Sequence, residues 1–312
     1  MKRRDFLKSS LAGTAAFTMA GLTAMLPNRA HAATINVTLA AQDIFKTLVD
    51  GNSVWTWRFN DINGTGPGLL DSGLVVREGD TVNVTVRNRI DRNINFEIPG
   101  VMAGTPSVSP GSNRTYTFTA PAAGSYFYTD GVNGELSRAM GLSGPLIVQP
   151  ASGANQLYSG GPSFDRQYTL VMNELDDRLN SAISNGQSYN LANYEPNYFF
   201  ANGLSYPSTP SDADTLIAMN RGENVALRFI NTGIITYPMH FHGYHVKVAT
   251  RNRTPETRVI DKDTVYVGVG ECVDVILPVT QSGMFPLHTH YVPGVTNDGS
   301  YSGGGLIIMN AA

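Results

Sequence analysis

Five of the six histidines fall in the second half of the chain, as His240, His242, His245, His288 and His290. His240 and His242 are two residues apart, and so are His288 and His290. On an extended backbone that spacing sends both imidazoles of a pair to one face. Two such pairs on adjacent strands can aim four nitrogens at a single point. Neutral imidazole suits Cu(II), Zn and Ni, and needs no thiolate to hold them. The alternative is two solvent-facing or hydrogen-bonded pairs. His245 has the opposite parity and reads as a satisfied histidine of a second layer. Met239 faces away from the His240 side and fills core, whereas Met284, four residues before His288, stays open as a soft ligand. Pro238 and Gly243 bracket the first pair, and Pro286, Pro293 and Gly294 frame the second. Tyr237, Phe241, Phe285 and Tyr291 wall the region or simply fill core.

The elements that must position these residues are strands. Val82–Val86 and Tyr116–Phe118 alternate apolar and polar residues, and turns at Glu78-Gly79-Asp80 and Pro110-Gly111-Ser112 precede them. Residues 144–148 close this first series. A second series follows a Gly/Ser/Pro-containing join at 151–165: residues 168–172, 215–219, 225–229, 244–249, 272–277 and 305–309. Arg221-Gly222-Glu223 repeats the earlier Glu78-Gly79-Asp80 turn. Pro278 follows its strand as Pro150 follows the last strand of the first half. A short helix is expected near 175–183. No amphipathic crossover separates the runs, so the expectation is an all-β chain of two antiparallel sandwiches, at 34–150 and 165–312.

Composition agrees. The 312 residues include 32 Gly and 17 Pro, and only 15% are charged, which suits turn-rich β structure rather than disorder. Arg3-Arg4-Asp5-Phe6-Leu7-Lys8, an apolar stretch from Leu11 to Leu26 and Ala30-His31-Ala32 form the three parts of an export peptide. The paired arginines point to the twin-arginine machinery. The expectation is a signal over residues 1–32 and a periplasmic mature chain. Removing its five basic and one acidic side chains turns a formal charge of −3 into −7. A nucleic-acid surface needs a positive footprint, so nucleic acid is excluded as a partner, as is a membrane surface for the mature chain. Cys272 stands alone, which rules out an intrachain disulfide and a cysteine-rich metal site.

Position by position, the chain resembles two-domain multicopper oxidases, the laccase and copper nitrite reductase lineage of paired cupredoxin domains. Asp50-Gly51 with Trp55, Trp57, Phe59 and Asn60 resembles the family's opening segment. Residues 76–82 resemble the strand before its first copper motif. Residues 237–243, Tyr-Pro-Met-His-Phe-His-Gly, resemble H-P-x-H-L-H-G, and Pro286-Leu287-His288-Thr289-His290 resembles the segment around H-C-H. The resemblance implies two cupredoxin-like Greek-key β-sandwiches in tandem. It also exposes departures. Tyr237 and Thr289 stand where the family binds its type 1 copper through His and Cys. Cys272 falls in an ordinary strand motif and reads as a small buried hydrophobe. Glu97-Ile98-Pro99-Gly100 replaces H-W-H-G, and Phe127-Tyr128-Thr129-Asp130-Gly131 replaces W-Y-H-S-H, so the first domain keeps none of its family histidines.

What the resemblance leaves is one mononuclear, type 2-like copper on His240, His242, His288 and His290, with zinc as the other acceptable ion. Two-domain relatives form trimers in which these positions face a neighbour's first domain. Glu97 and Asp130 of a neighbouring subunit of a homotrimer, with Tyr128, would then line the cavity as ligand or proton carrier. The expected function is an exported copper-dependent oxidoreductase acting on a small molecule or dioxygen, without laccase-type turnover. The alternatives are a non-catalytic periplasmic copper-binding protein and a metal-free cupredoxin scaffold acting through protein contacts.

Overall fold

The computed structural model describes residues 16–17, 32–62, 73–258 and 260–312. The export signal expected over residues 1–32 lies almost wholly outside them. Strands dominate, and they form two pairs of stacked sheets. In the first half one sheet runs Ser53–Asp61, Thr34–Thr47, Thr81–Asn88, Asn113–Thr119. The facing sheet runs Leu74–Arg77, Ser143–Gln149, Gly124–Thr129, with Ala16–Phe17 beside Leu74–Val75. In the second half a five-stranded sheet runs Ile217–Met219, Ile307–Ala311, Gly283–Thr289, Tyr237–Phe241, Thr264–Val267. It faces a nine-stranded sheet whose centre is Arg166–Leu175 between Asn224–Asn231 and Tyr198–Ala201.

Both halves share one connectivity, as the repeated turns suggested. Thr34–Thr47 pairs in parallel with Thr81–Asn88, and Arg166–Leu175 does so with Asn224–Asn231. Likewise Leu74–Arg77 is parallel to Ser143–Gln149, and Ile217–Met219 to Ile307–Ala311. The turns between these strands place Gly79 at φ +86° and Gly222 at φ +94°, a region that costs glycine little and side-chain-bearing residues more. The expected helix runs from Asp177 to Ser184, capped by the Asp176 carboxylate, which accepts from Arg178 N–H.

Alternation does the packing work. Val82, Val84 and Val86 point inward with Trp57, Phe59 and Phe96, while Thr81, Asn83 and Thr85 stay on the outer face. The second core gathers Leu227, Phe229, Met239, Phe241 and Val275. Each such side chain contributes about 1.5–3 kcal/mol on full burial. The halves meet through a third apolar cluster, where Val75, Phe127 and Ile147 touch Val171, Ile230 and Cys272. Cys272 is buried, and burial pushes its thiol well up.

Polar groups also cross that interface. Ser125 of the first sandwich donates to Asp274 Oδ1 at 2.5 Å and accepts from Arg228 Nη1 at 3.1 Å. Arg228 Nε reaches Gln167 Oε1 at 3.0 Å, and Thr250 Oγ donates to Asp274 Oδ2 at 2.9 Å. All of these side chains are buried. Nearby, Arg138 of the first half donates to the carbonyls of Thr232 and Gly233 in the second.

Candidate functional site

The histidine pairs lie on the outer face of the five-stranded sheet. His240 sits directly opposite His288 across the antiparallel ladder, and Leu287 and Met239 point the other way, into the core. His242 and His290 extend the same face from the ends of the two strands. Neighbouring ring centres are 4.3 Å apart for His240 and His290, 4.8 Å for His240 and His242, and 5.1 Å for His242 and His288. Parity and adjacency therefore gather the four rings as expected. His245 is exposed beyond the turn at Gly243, and Met284 is exposed on the neighbouring strand.

The rings make their own hydrogen bonds. His288 Nδ1 lies 3.0 Å from the Thr289 carbonyl, and His240 Nδ1 lies 3.1 Å from the Asp263 carbonyl and 3.0 Å from Thr264 Oγ. A carbonyl only accepts, so both Nδ1 atoms donate. A neutral His288 then keeps one lone pair, on Nε2. His242 Nε2 is 3.0 Å from it and donates to it. Partial desolvation among the neighbouring rings, followed by the like charge of His288, His240 and His290, holds the His242 imidazole below its ordinary value.

No group of three or more His, Cys, Asp or Glu among the described residues can hold a metal ion. This corrects the expectation of a mononuclear copper, or a zinc, on His240, His242, His288 and His290. It equally corrects the expected copper-dependent oxidoreductase. The sequence identified the strands and the face, but a strand register does not set χ2. The groups that turn His240, Asp263 and Thr264, come from a strand that carries no chemical signature.

The first-domain acids have their own structural work. Asp130 is buried, and its carboxylate accepts from the backbone N–H groups of Asn95 (2.8 Å), Val132 (2.9 Å) and Asn133 (3.2 Å). Ser137 Oγ and Asn133 Nδ2 also donate to it, each at 2.6 Å. Glu97 is half-buried, with its carboxylate lying over Gly131, where a Cβ would collide with it. Tyr128 is buried between Phe96, 4.8 Å away, and Phe59, 5.5 Å away.

One buried acid had no signal in the sequence. Glu174, next to last in the central strand of the second domain, accepts from Ile234 N–H at 2.6 Å, Ile235 N–H at 3.2 Å and Tyr237 Oη at 2.6 Å. Burial pushes its carboxyl up to about 7, against these donors and the nearby Arg138 guanidinium, which lower it. Tyr237, which replaces a family histidine, is thus a donor to Glu174.

Two stacked-sheet domains of repeated connectivity, with histidine pairs on facing strands and no ligand cluster among the described residues, define a divergent cupredoxin-fold protein. Sequence profiles of multicopper oxidases match residues 51–153 and 182–297. Laccase-5 of Arabidopsis thaliana is 26% identical over 69% of this chain and 38% of its own length. Cell division protein FtsP of Actinobacillus succinogenes is 23% identical over 76% of this chain and 49% of its own. The chain thus spans less than half the length of each. The blue copper oxidase of Nitrosomonas europaea superposes with a TM-score of 0.74 at 25% identity, covering 89% of this chain and 86% of that one. The chain is a divergent multicopper-oxidase-related protein of the tandem cupredoxin type, without that family's metal-ligand clusters among its described residues.

Proposed function

We propose that this chain is a metal-free cupredoxin scaffold of the periplasm, reached by the twin-arginine route, and that it works through protein contacts. One observation carries the reading: no group of three or more His, Cys, Asp or Glu among the described residues is arranged to hold a metal ion. The first domain supports it. There Glu97 and Pro99 stand at the histidine positions of H-W-H-G, and Thr129 and Gly131 at those of W-Y-H-S-H. The likeness to a protein named for cell division extends along three quarters of the chain. Assembly as a homotrimer remains part of the proposal, since two-domain relatives associate in that way.

The test is Cu(II) and Zn(II) loading of the mature protein, then dialysis, metal analysis and electron paramagnetic resonance. The expected result is far less than one ion per chain and an unchanged near-ultraviolet spectrum. About one copper per chain with a type 2 resonance overturns the reading.

A further inference from the structure

The nine-stranded sheet has two differently finished edges. One ends at Thr254–Pro255, where proline removes a backbone donor and discourages further pairing. The other ends at Ser300–Tyr301, which pairs only with Thr296–Asn297 among the described residues. Asp298 at φ +46° and Gly299 at φ +78° make the two-residue turn between them, the left-handed pair that a tight hairpin favours. In such a hairpin Asn297 and Ser300 exchange the ladder bonds, so the N–H and C=O of Tyr301 point to the open edge. Tyr301 itself is 80% exposed. Among the described residues this edge carries no lysine, proline or bulge, and its two-residue length leaves Tyr301 alone to pair outward.

The turn also forms one rim of a surface groove of about 500 Å³. Its opposite rim is the start of the helix at Asp177 and the loop at Glu195, and Val292, 74% exposed, gives it an apolar wall. The charges are one-sided. Among the described residues Arg178 is the one cation lining it, and Asp176 holds that guanidinium through two bonds of 2.9 and 2.8 Å. Glu195 shares that guanidinium at 3.6 Å, and with Asp177 and Asp298 it leaves the groove with net negative charge.

We propose that this edge and groove bind an extended, lysine- or arginine-bearing segment of a partner protein. The segment adds as a strand against Tyr301 and lays its cations against Asp177, Glu195 and Asp298. Backbone pairing supplies affinity and alternate side chains supply selectivity, as in other strand additions. The charge complementarity selects a basic occupant over an acidic or wholly apolar one. The inference rests on the reading of the protein as a contact scaffold and names the chemistry of one partner.

Fluorescence anisotropy of the mature protein with labelled alternating Lys–Val and Glu–Val peptides tests it. The Lys–Val peptide should bind, and less well as salt rises, while the Glu–Val peptide should not. The surface double variant Glu195→Lys/Asp298→Asn should weaken binding about tenfold, with Asn chosen because it tolerates positive φ. Tyr301→Pro, which removes the outward N–H, should weaken it as well, with folding of both variants verified by near-ultraviolet circular dichroism. Equal binding of the two peptides, or undiminished binding by either folded variant, overturns the proposal. Metal loading is independent of these measurements. A chain that binds neither peptide nor metal refutes the groove alone, and one that binds copper stoichiometrically refutes the scaffold reading.

Discussion

His242 Nε2 lies 3.0 Å from His288 Nε2, and His288 Nδ1 lies 3.0 Å from the Thr289 carbonyl, to which it donates. The chain of donors fixes both tautomers when the rings are neutral. His242 carries its proton on Nε2 and His288 on Nδ1. A long-range proton–nitrogen spectrum at pH 8 should show this opposed pair. Finding both rings protonated on the same type of nitrogen would break the assignment. Because His242 is exposed, His242→Phe should change stability by no more than about 0.5 kcal/mol in urea unfolding.

Asp130 behaves oppositely. Its carboxylate organises a loop by accepting from three backbone N–H groups and two side chains. Asp130→Ala strands those donors, and each buried unmade bond costs about 1–3 kcal/mol. Some of the loop will reach water, so the expected loss is about 3 kcal/mol or more. Asp130→Asn retains an acceptor and should lose less. Urea midpoints at unchanged slope measure both, and an Ala variant as stable as the wild type would refute the role given to this carboxylate.

These two residues mark how far the sequence could be read. Spacing of two and the strand pattern placed His240 and His242 on one face and His288 and His290 beside them, because side-chain parity is a property of extended backbone alone. The repeated Glu-Gly-Asp and Arg-Gly-Glu turns likewise foretold the shared connectivity, since both need a glycine at positive φ. Ring rotation was invisible. It depends on the Asp263 carbonyl and Thr264 hydroxyl, supplied by a neighbouring strand whose residues carry no metal-site signature. Asp130 looked like a free oxygen donor because a loop's backbone hydrogen bonds leave no periodic trace. Glu174 was hidden for a related reason: its partners Ile234, Ile235 and Tyr237 lie about sixty residues away.

Arg228 and Asp274 tie the two domains through Ser125, with every side chain buried. Their charged atoms are 3.5 Å apart. Removing one member leaves the other charge buried and unpaired, at a cost of about 3–5 kcal/mol, whereas replacing both by apolar groups of similar size costs far less. Asp274→Ala should therefore unfold at a much lower urea concentration than Arg228→Met/Asp274→Leu. Ser125→Ala should fall between the wild type and Asp274→Ala. If the single and double variants lose the same stability, the pair is not coupled as described.

Glu174 gives the second domain a pH dependence whose sign follows from its burial. Its carboxyl is raised from 4.5 to about 7, so between those values the folded chain holds a proton that the unfolded chain has released. Stability contributed by this group is full below about pH 4.5, falls as pH rises, and is lost above about 7. The step is on the order of 3 kcal/mol. The groups facing it are Arg138 from the first domain, which favours the charged form, and the phenols of Tyr237, Tyr194 and Tyr291, all pushed up by burial. Glu174→Gln keeps an acceptor for the Ile234 and Ile235 N–H groups and does not titrate. The difference in unfolding free energy between the variant and the wild type should shift in the variant's favour from pH 4.5 to pH 8. Measuring that difference, rather than either protein alone, cancels the other carboxylates. A difference that is flat across the range would mean that Glu174 ionises at its ordinary value, despite its buried position beneath the loop at Ile234.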